Sequence, residues 1–208
     1  MYWPLLTDHQ LKAEECHVLV IHAPQPLSNK TAAKSQRQGL IAAILKKYTT
    51  QPFTIKTAPQ GKPYLDSNEI AFNYSHSHHI LVLAISRYPV GIDIEWMKKK
   101  DYQGFSNYFW GADLISMYPR YAQRLAFFQA WTQTEAWVKY HGETIFNHQH
   151  FIPTTLLARD PISAHHCQML SFMPLVNTVA SLCYEKHIQT ITLKHLDWSA
   201  IHHASEYP

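Results

Sequence analysis

Cysteine is scarce in this 208-residue chain, which contains only Cys16, Cys167 and Cys183. Three widely spaced cysteines are too few for a zinc cluster or a disulfide framework, and their odd number argues against a secreted, disulfide-stapled scaffold. No purely apolar run is longer than the six residues of Ile80–Ile85, far fewer than the roughly 20 residues that a membrane-spanning helix needs. No charged segment followed by an apolar core comes after Met1, so we expect no secretory signal. These absences predict a cytoplasmic protein with no membrane partner.

The charge of the chain is nearly balanced, with 18 basic and 15 acidic residues and a formal net charge of +3. This mildly basic balance favours anionic partners, such as phosphates or acidic proteins, and does not point to nucleic acid. Histidine is abundant, with 15 residues, but no pair has the HExxH spacing of a zinc hydrolase. We expect solvated loop histidines, with His76 the exception. A zinc site around Ser75–His79 is a competing interpretation, although no cysteine or carboxylate stands nearby.

Hydrophobic periodicity predicts a mixture of strands and helices. Strands are expected at Cys16–His22, Phe53–Thr57, Ile70–Tyr74, Ile80–Ser86, Val90–Glu95, Gln168–Phe172, Thr178–Tyr184 and Thr190–Leu196, and helices at Ser28–Tyr48 and Gln123–His141. Because the two kinds of element do not alternate regularly, we predict an α+β fold with antiparallel sheet. The segment from Lys98 to Arg120 has the weakest pattern and is expected to be irregular.

Acidic and apolar residues alternate in the segment Val90–Glu95. On a strand, Asp93 and Glu95 then project from one face and Ile92 and Ile94 from the other, so two carboxylates lie side by side above a buried anchor. Mg²⁺ typically binds one or two protein carboxylates together with substrate phosphates. A solvated acidic face on an edge strand is an equally good interpretation of this motif alone.

A third carboxylate follows on the second predicted helix. Trp131, Glu135 and Lys139 recur every four residues, so they line one stripe with a carboxylate beside an ammonium group. A surface ion pair would explain Glu135 and Lys139 by themselves, because such pairs are common and each stabilises by less than about 1 kcal/mol. The neighbouring Trp131 indicates that the stripe is partly buried.

Two weaker signals precede these acids along the chain. Lys62 lies in a rigid turn between Gly61 and Pro63, and Ser75 and His76 end a predicted strand with hydroxyl and imidazole groups. A lysine in a turn is usually solvated, and a serine beside a histidine usually bonds locally. These residues become informative only through their order relative to the acids.

Taken in order, the motifs GKPYL, FNYSHS, VGIDIE and WTQTEAWVK resemble the signature of the phosphopantetheinyl transferase superfamily. The resemblance covers roughly residues 61 to 142, and the chain length is similar to that of the larger, surfactin-synthetase-activating type. It implies two similar lobes, residues 1–88 and 89–208, related by a pseudo-twofold axis. Each lobe would be an antiparallel sheet packed on a long helix, in a monomer that binds coenzyme A between the lobes.

The resemblance also implies an activity, the transfer of the 4′-phosphopantetheine arm of coenzyme A to a serine of an apo acyl, peptidyl or polyketide carrier protein. Adenosine 3′,5′-bisphosphate would be released. Asp93, Glu95 and Glu135 would bind Mg²⁺, Glu135 would also act as the base for the carrier serine, and Lys139 would contact the pyrophosphate. Asp93, Glu135 and Lys139 would thus carry the catalysis.

The same resemblance implies that coenzyme A is held by residues of the first lobe. Lys62 would contact the adenine or the 3′-phosphate, Ser75 and His76 would contact the phosphates, and Arg37 of the first helix would add positive charge near the 3′-phosphate. The run Lys98–Lys100 is a candidate docking surface for an acidic carrier protein, although a solvated charge cluster explains it as well.

One position departs from the family pattern, which usually has a lysine directly before the helix glutamate, where this chain has Thr134. Three consequences stay open: slower transfer, compensation by another cation, or a homologue that binds coenzyme A or a carrier protein without catalysis. Because all three acids and Lys139 are retained, we expect an active transferase of the holo-[acyl-carrier-protein] synthase type.

Overall fold

The structure is a computed structural model that describes residues 11–27, 31–98, 102–110, 114–144, 167–199 and 201. The chain divides into two units. Unit 1 holds the described residues up to Pro89 and those from His187 onward, and unit 2 runs from Val90 to Lys186. None of the helices in the described ranges is both long enough and apolar enough to span a membrane.

Strands and helices are mixed along the chain without regular alternation. The elements are β1 (Glu15–His22), α1 (Thr31–Leu45), β2 (Ile55–Thr57), β3 (Pro63–Leu65), β4 (Ala71–Ser77), β5 (Ile80–Ser86), β6 (Val90–Trp96), α2 (Tyr102–Trp110), a 3₁₀ helix (Leu114–Met117), α3 (Arg120–His141), β7 (Cys167–Phe172), β8 (Thr178–Glu185) and β9 (Thr190–Asp197). This order confirms the predicted α+β class.

Unit 1 is built on a four-stranded sheet in the order β4-β5-β1-β9. β5 pairs antiparallel with both β4 and β1, whereas β9 pairs parallel with β1. The inner strands β1 and β5 are apolar and almost entirely buried, as expected of central strands covered on both faces. One face packs against Leu40, Ile41 and Ile44 of α1, which recur at helical spacing.

The described residues of unit 2 form a three-stranded antiparallel sheet, in the order β6-β8-β7, packed against the 22-residue helix α3. Phe127 and Ala130 of α3 are fully buried in a cluster that also contains Val179 of β8. The helix ends at Gly142, whose left-handed backbone (φ 70°) suits glycine and lets its N–H donate to the carbonyl of Lys139.

Two expectations about unit 1 were wrong. Its sheet is mixed rather than antiparallel, because β9 returns from a distant part of the chain and no tight hairpin turn forces it to run against β1. The predicted second lobe, 89–208, also extends too far, since β9 places the residues from His187 onward with unit 1. The other predicted boundary lies one residue from the observed division after Pro89.

The segment expected to be irregular contains α2 and the 3₁₀ helix. Phe105 and Phe109 of α2 recur at helical spacing, and both rings meet Trp131 of α3 edge-on. A helix whose buried residues are aromatic and that has no aliphatic stripe was not recognised from the sequence. The pseudo-twofold relation between the units stays a prediction.

β6 and α3 approach each other closely at Gly91. A Cβ atom at this position would collide with the carbonyl oxygen of Ala136 and the backbone nitrogen of Tyr140, and it would lie 2.8 Å from the Cα of Tyr140. Backbone atoms cannot rotate away from such a collision, so α3 can lie this near to β6 only with glycine at residue 91. Asp93 lies two residues further along the same face of the strand, and the contact therefore brings it close to the last turns of α3.

We expect Gly91→Ala to destabilise the protein by about 3 kcal/mol, because the added methyl group must push α3 away from β6. The matched control is Gly39→Ala in α1, where a Cβ would meet no heavy atom within 4 Å. Alanine is the better helix former, so the control should stabilise by up to about 1 kcal/mol. Urea unfolding measures both changes, and equal stabilities for the two variants would contradict the role of Gly91.

Candidate active site

β6 presents Asp93 and Glu95 on one face of the unit 2 sheet. Ile92 and Ile94 alternate with them and are buried on the opposite face. Asp93 is itself buried, whereas Glu95 is half-buried. The strand thus holds the two carboxylates side by side on an apolar anchor, as the alternation in the sequence predicts.

An ion pair joins this strand to α3. The Nζ atom of Lys139 donates a hydrogen bond of 2.7 Å to Oδ1 of Asp93, and the two side chains are only 27% and 7% exposed. Such shielding makes the attraction stronger than in a fully solvated pair. Lys139 therefore bonds across elements to the strand carboxylate, as well as lying within electrostatic reach of Glu135.

Glu135 lies one helical turn before Lys139 and is half-buried. Its pKa is raised above the usual value, chiefly by burial and then by the negative charge of Asp93. The charge of Lys139 opposes this rise, and the charge of Glu95 adds to it. The four side chains therefore form one electrostatic cluster, and a carboxylate with a raised pKa is better suited to accept a proton.

The three acids fit Mg²⁺ as a partial set of ligands and not as a complete cage. In the part of the chain that the structure describes, no three His, Cys, Asp or Glu side chains are grouped so that they could hold a metal ion as they stand. Mg²⁺ usually completes its shell with water and phosphate oxygens, so a complete cage is not required. Oxygen ligands whose charges repel one another favour a divalent cation, and the residues present meet that description.

A row of hydroxyl groups beside Asp93 was not predicted from the sequence. Ser181 lies opposite Asp93 on β8, and its hydroxyl shares hydrogen bonds with Thr132 of α3 (2.8 Å) and Ser171 of β7 (2.9 Å). Gln133 of α3 donates to Ser171 at 3.0 Å. This network ties α3 to two strands and fixes its position along the sheet. Small polar residues in otherwise apolar strand segments were the only signal for it.

Thr134, which stands where the family usually has lysine, is buried and hydrogen-bonded. The residue is 2% exposed, and its hydroxyl donates a 2.9 Å hydrogen bond to the carbonyl of Ala130. A lysine would therefore have to fit a buried position of α3 rather than open solvent.

In unit 1, Ser75 and His76 lie on opposite faces of β4. Ser75 pairs with Val82 and His76 with Leu81 in the β4–β5 register, and consecutive strand residues alternate between faces. Leu81 belongs to the core that packs on α1, so His76 lies on the α1 side of the sheet. The two residues that the family resemblance groups together thus cannot approach a ligand from one face.

A cavity of about 760 Å³ lies on the α1 side of unit 1. Its wall includes Lys34, Gln38, Gly61, Pro63 and Tyr74. Lys62 lies between Gly61 and Pro63 in the sequence. Arg37 is 4% exposed and does not belong to this lining, so Lys34, rather than the predicted Arg37, brings positive charge from α1 to the cavity.

Replacing Glu135 by glutamine tests the electrostatic cluster in the absence of any ligand. A folded-state pKa above the usual value of 4.5 means that folding favours the protonated carboxyl. Ionisation of Glu135 therefore lowers the free energy of unfolding at pH values above its folded-state pKa. Below about pH 4.5 the carboxyl is protonated in both states, and this destabilisation disappears. We expect Glu135→Gln to raise the unfolding temperature at pH 7, and the gain should vanish as the pH falls below about 4.5.

Thermal unfolding over this pH range provides the measurement. Glu143→Gln, at an exposed acid just beyond α3, is the control and should show no such pH-dependent gain. A gain from Glu135→Gln that is the same at every pH would contradict the electrostatic explanation.

Comparisons with known proteins identify the family of this chain. The model of the 4′-phosphopantetheinyl transferase superfamily matches residues 89–192, which is half of the chain. The chain is 32% identical over 112 residues to the 4′-phosphopantetheinyl transferase gsp of Aneurinibacillus migulanus, covering 50% of this chain and 47% of that protein. It is 29% identical over 106 residues to the 4′-phosphopantetheinyl transferase of Bacillus subtilis, covering 49% and 47% respectively. It is 36% identical over 94 residues to the 4′-phosphopantetheinyl transferase psf-1 of Bacillus pumilus, covering 43% and 40%.

The matches span less than half the length of each of these relatives. The segment that matches the family model contains all of β6 and α3, and with them the three acids and Lys139. By this match and by these residues, the chain belongs to the 4′-phosphopantetheinyl transferase superfamily.

Proposed function

We propose that this chain transfers the 4′-phosphopantetheine arm of coenzyme A to a serine hydroxyl of an apo carrier protein. The serine oxygen attacks the phosphorus that bears the pantetheine arm, and the bond from that phosphorus to the bridging pyrophosphate oxygen breaks. Adenosine 3′,5′-bisphosphate leaves, and the serine proton passes to a base on the chain. The observation that carries the proposal is the cluster of Asp93, Glu135 and Lys139 inside the segment that matches the family.

The acid cluster would serve both as a cation site and as a base. Asp93, Glu95 and Glu135 would hold Mg²⁺, which when bound offsets the negative charge of the pyrophosphate. Glu135 accepts the serine proton, directly or through a water molecule. Lys139 binds the pyrophosphate oxygens, and its ion pair with Asp93 keeps the ammonium group at the cluster until an anion competes for it.

The nucleotide end of coenzyme A is assigned to unit 1. The cavity beside α1 has a volume in the range of small-molecule sites, and it combines apolar walls with two lysines, Lys34 and Lys46. Lys62, in the turn between Gly61 and Pro63, and Lys34 of α1 would bind the 3′-phosphate end of coenzyme A. His76 lies on the same side of the sheet as the cavity and would contact a phosphate there, whereas Ser75 would meet the ligand only from the opposite face.

The carrier protein is assigned to an exposed face at the start of α3. Tyr121 is 90% exposed and Met117 is 76% exposed, although large apolar side chains are usually buried. Arg120 and Arg124 are exposed beside Tyr121 on the first turns of the helix. A helix N-terminus carries partial positive charge, so this face suits an acidic, partly apolar helix of a carrier protein. Of the predicted docking run, Lys98 is exposed and residues 99 and 100 lie outside the described residues.

We further propose that the chain is of the larger, two-lobed type and acts as a cytoplasmic monomer. Its proposed partners are coenzyme A and an acyl, peptidyl or polyketide carrier protein, with no nucleic acid or membrane partner. The mild positive charge of the chain is consistent with two acidic partners.

The transfer reaction can be tested directly. The chain is mixed with coenzyme A, Mg²⁺ and a panel of apo carrier proteins, and the intact mass of each carrier is measured. We expect one phosphopantetheine group to be added to at least one carrier. Asp93→Ala, Glu95→Ala and Glu135→Ala should each lower turnover by at least about 100-fold, because each removes a charge that acts on the transition state. Glu143→Ala removes an exposed acid outside the cluster and should leave turnover unchanged.

Two outcomes would overturn parts of this assignment. Full activity of Glu135→Ala at saturating Mg²⁺ would contradict both the metal and the base roles of that residue. Calorimetric binding of coenzyme A without any mass change in the whole panel would instead identify a non-catalytic homologue that binds coenzyme A.

Docking of the carrier is tested by reversing charge at the start of α3. Arg120→Glu combined with Arg124→Glu should weaken carrier binding at least about tenfold and reduce its salt dependence, because two steering charges are inverted. Affinity for coenzyme A should be unaffected. Lys47→Glu, at an exposed lysine of unit 1, is the control for charge reversal as such. Equal weakening by the control, or equal loss of carrier and coenzyme A binding, would count against this docking face.

A further inference from the structure

Two histidines from opposite ends of the chain meet in unit 1. His22 is the last residue of β1 and His195 lies near the end of β9, which runs parallel to β1. The Nε2 atom of His22 and the Nδ1 atom of His195 are 3.2 Å apart, although the residues are separated by 173 positions in the sequence. His22 is half-buried and His195 is exposed, so the facing nitrogens lie at the protein surface. Neither residue has a role in the proposed transfer reaction.

The distance between these nitrogens matches that of two ligands on one metal ion. Zinc–nitrogen bonds of roughly 2.0–2.1 Å at a tetrahedral angle place two imidazole nitrogens about 3.3 Å apart. In a square-planar or octahedral arrangement the same bonds place them about 2.9 Å apart. The observed 3.2 Å lies between these values. A metal could therefore replace the hydrogen bond once each ring turns the lone pair of its facing nitrogen toward the ion.

We propose that His22 and His195 form a bidentate site for a divalent transition-metal ion. Neutral imidazole is a preferred ligand of Zn²⁺, Ni²⁺ and Cu²⁺, and it is a poor ligand of Mg²⁺. The site is therefore chemically distinct from the carboxylate cluster of unit 2. Asp197 lies opposite His22 in the β1–β9 register, on the same face as His195, and is exposed. Within the described residues no group of three ligands is formed, so the proposed site has two protein ligands there.

Metal binding at this site would fasten β9 to the sheet. Among the described strands, β9 stands at the end of the sheet and pairs with β1, and it returns to unit 1 after the chain has formed unit 2. A cross-link between residues so far apart in the sequence opposes opening of a long loop. A ligand that binds only the folded state also raises the unfolding temperature in proportion to its concentration and affinity.

The test is a titration of the full chain with Cu²⁺, the ion expected to bind most tightly, and with Zn²⁺, in a buffer that does not chelate metals. We expect His22→Gln and His195→Gln each to remove one equivalent of Cu²⁺ from the binding isotherm, and the double variant to remove no more than either single variant. His187→Gln, at an exposed histidine of the same unit, should keep that equivalent. Zn²⁺ should raise the unfolding temperature of the unsubstituted chain and of His187→Gln more than that of His195→Gln.

An unchanged Cu²⁺ stoichiometry in His195→Gln would overturn the proposal, as would the same loss in His187→Gln. Circular dichroism identifies any variant that fails to fold. In that case, the other single variant decides, and its electron paramagnetic resonance spectrum with one equivalent of Cu²⁺ is compared with that of the unsubstituted chain. Loss of a coupled imidazole nitrogen in the variant supports the site, and identical spectra contradict it.

Discussion

The candidate active site depends on how near the backbone of α3 can lie to β6. At Gly91 the two backbones are so close that no side chain fits between them. The strand alternation then carries Asp93 to the same face two residues later, where Nζ of Lys139 reaches its carboxylate. The hydroxyl network through Ser181 and Thr132 holds the helix at the same position along the sheet. A glycine, an ion pair and a polar network therefore specify one position of α3.

The charges that this packing brings together do not all stabilise the folded state. Asp93, Glu95 and Glu135 repel one another, and Lys139 is the cation that the described structure shows bonded to the cluster. Burial adds to the cost of ionising Glu135. Functional sites commonly keep such unfavourable charges because a ligand completes them. A divalent cation would offset the repulsion between these acids, and the cation together with Lys139 would bind a pyrophosphate.

Unit 1 has a different organisation, in which the sheet separates two surfaces. His76 and the cavity lie on the α1 side, and Ser75 lies on the other. The edge of the sheet is completed by β9, which belongs to the far end of the chain. Unit 1 therefore cannot be complete until the residues after unit 2 are available. The pairing of β9 with β1 also brings His22 and His195 together. The residues around either histidine in the sequence do not indicate this contact.

The sequence by itself determined the α+β class, most strands, the two long helices and the family, because periodicity and short ordered motifs are local properties. It also determined that Asp93 and Glu95 share a face, since alternation on a strand needs only that the strand forms. Only the tertiary structure decided that Lys139 bonds to Asp93, that Arg37 is buried away from the cavity lining, and that β9 runs parallel to β1. These contacts join residues between 46 and 175 positions apart or depend on which side of a helix is covered. No local pattern encodes them, because each arises from packing between elements that the chain brings together only on folding.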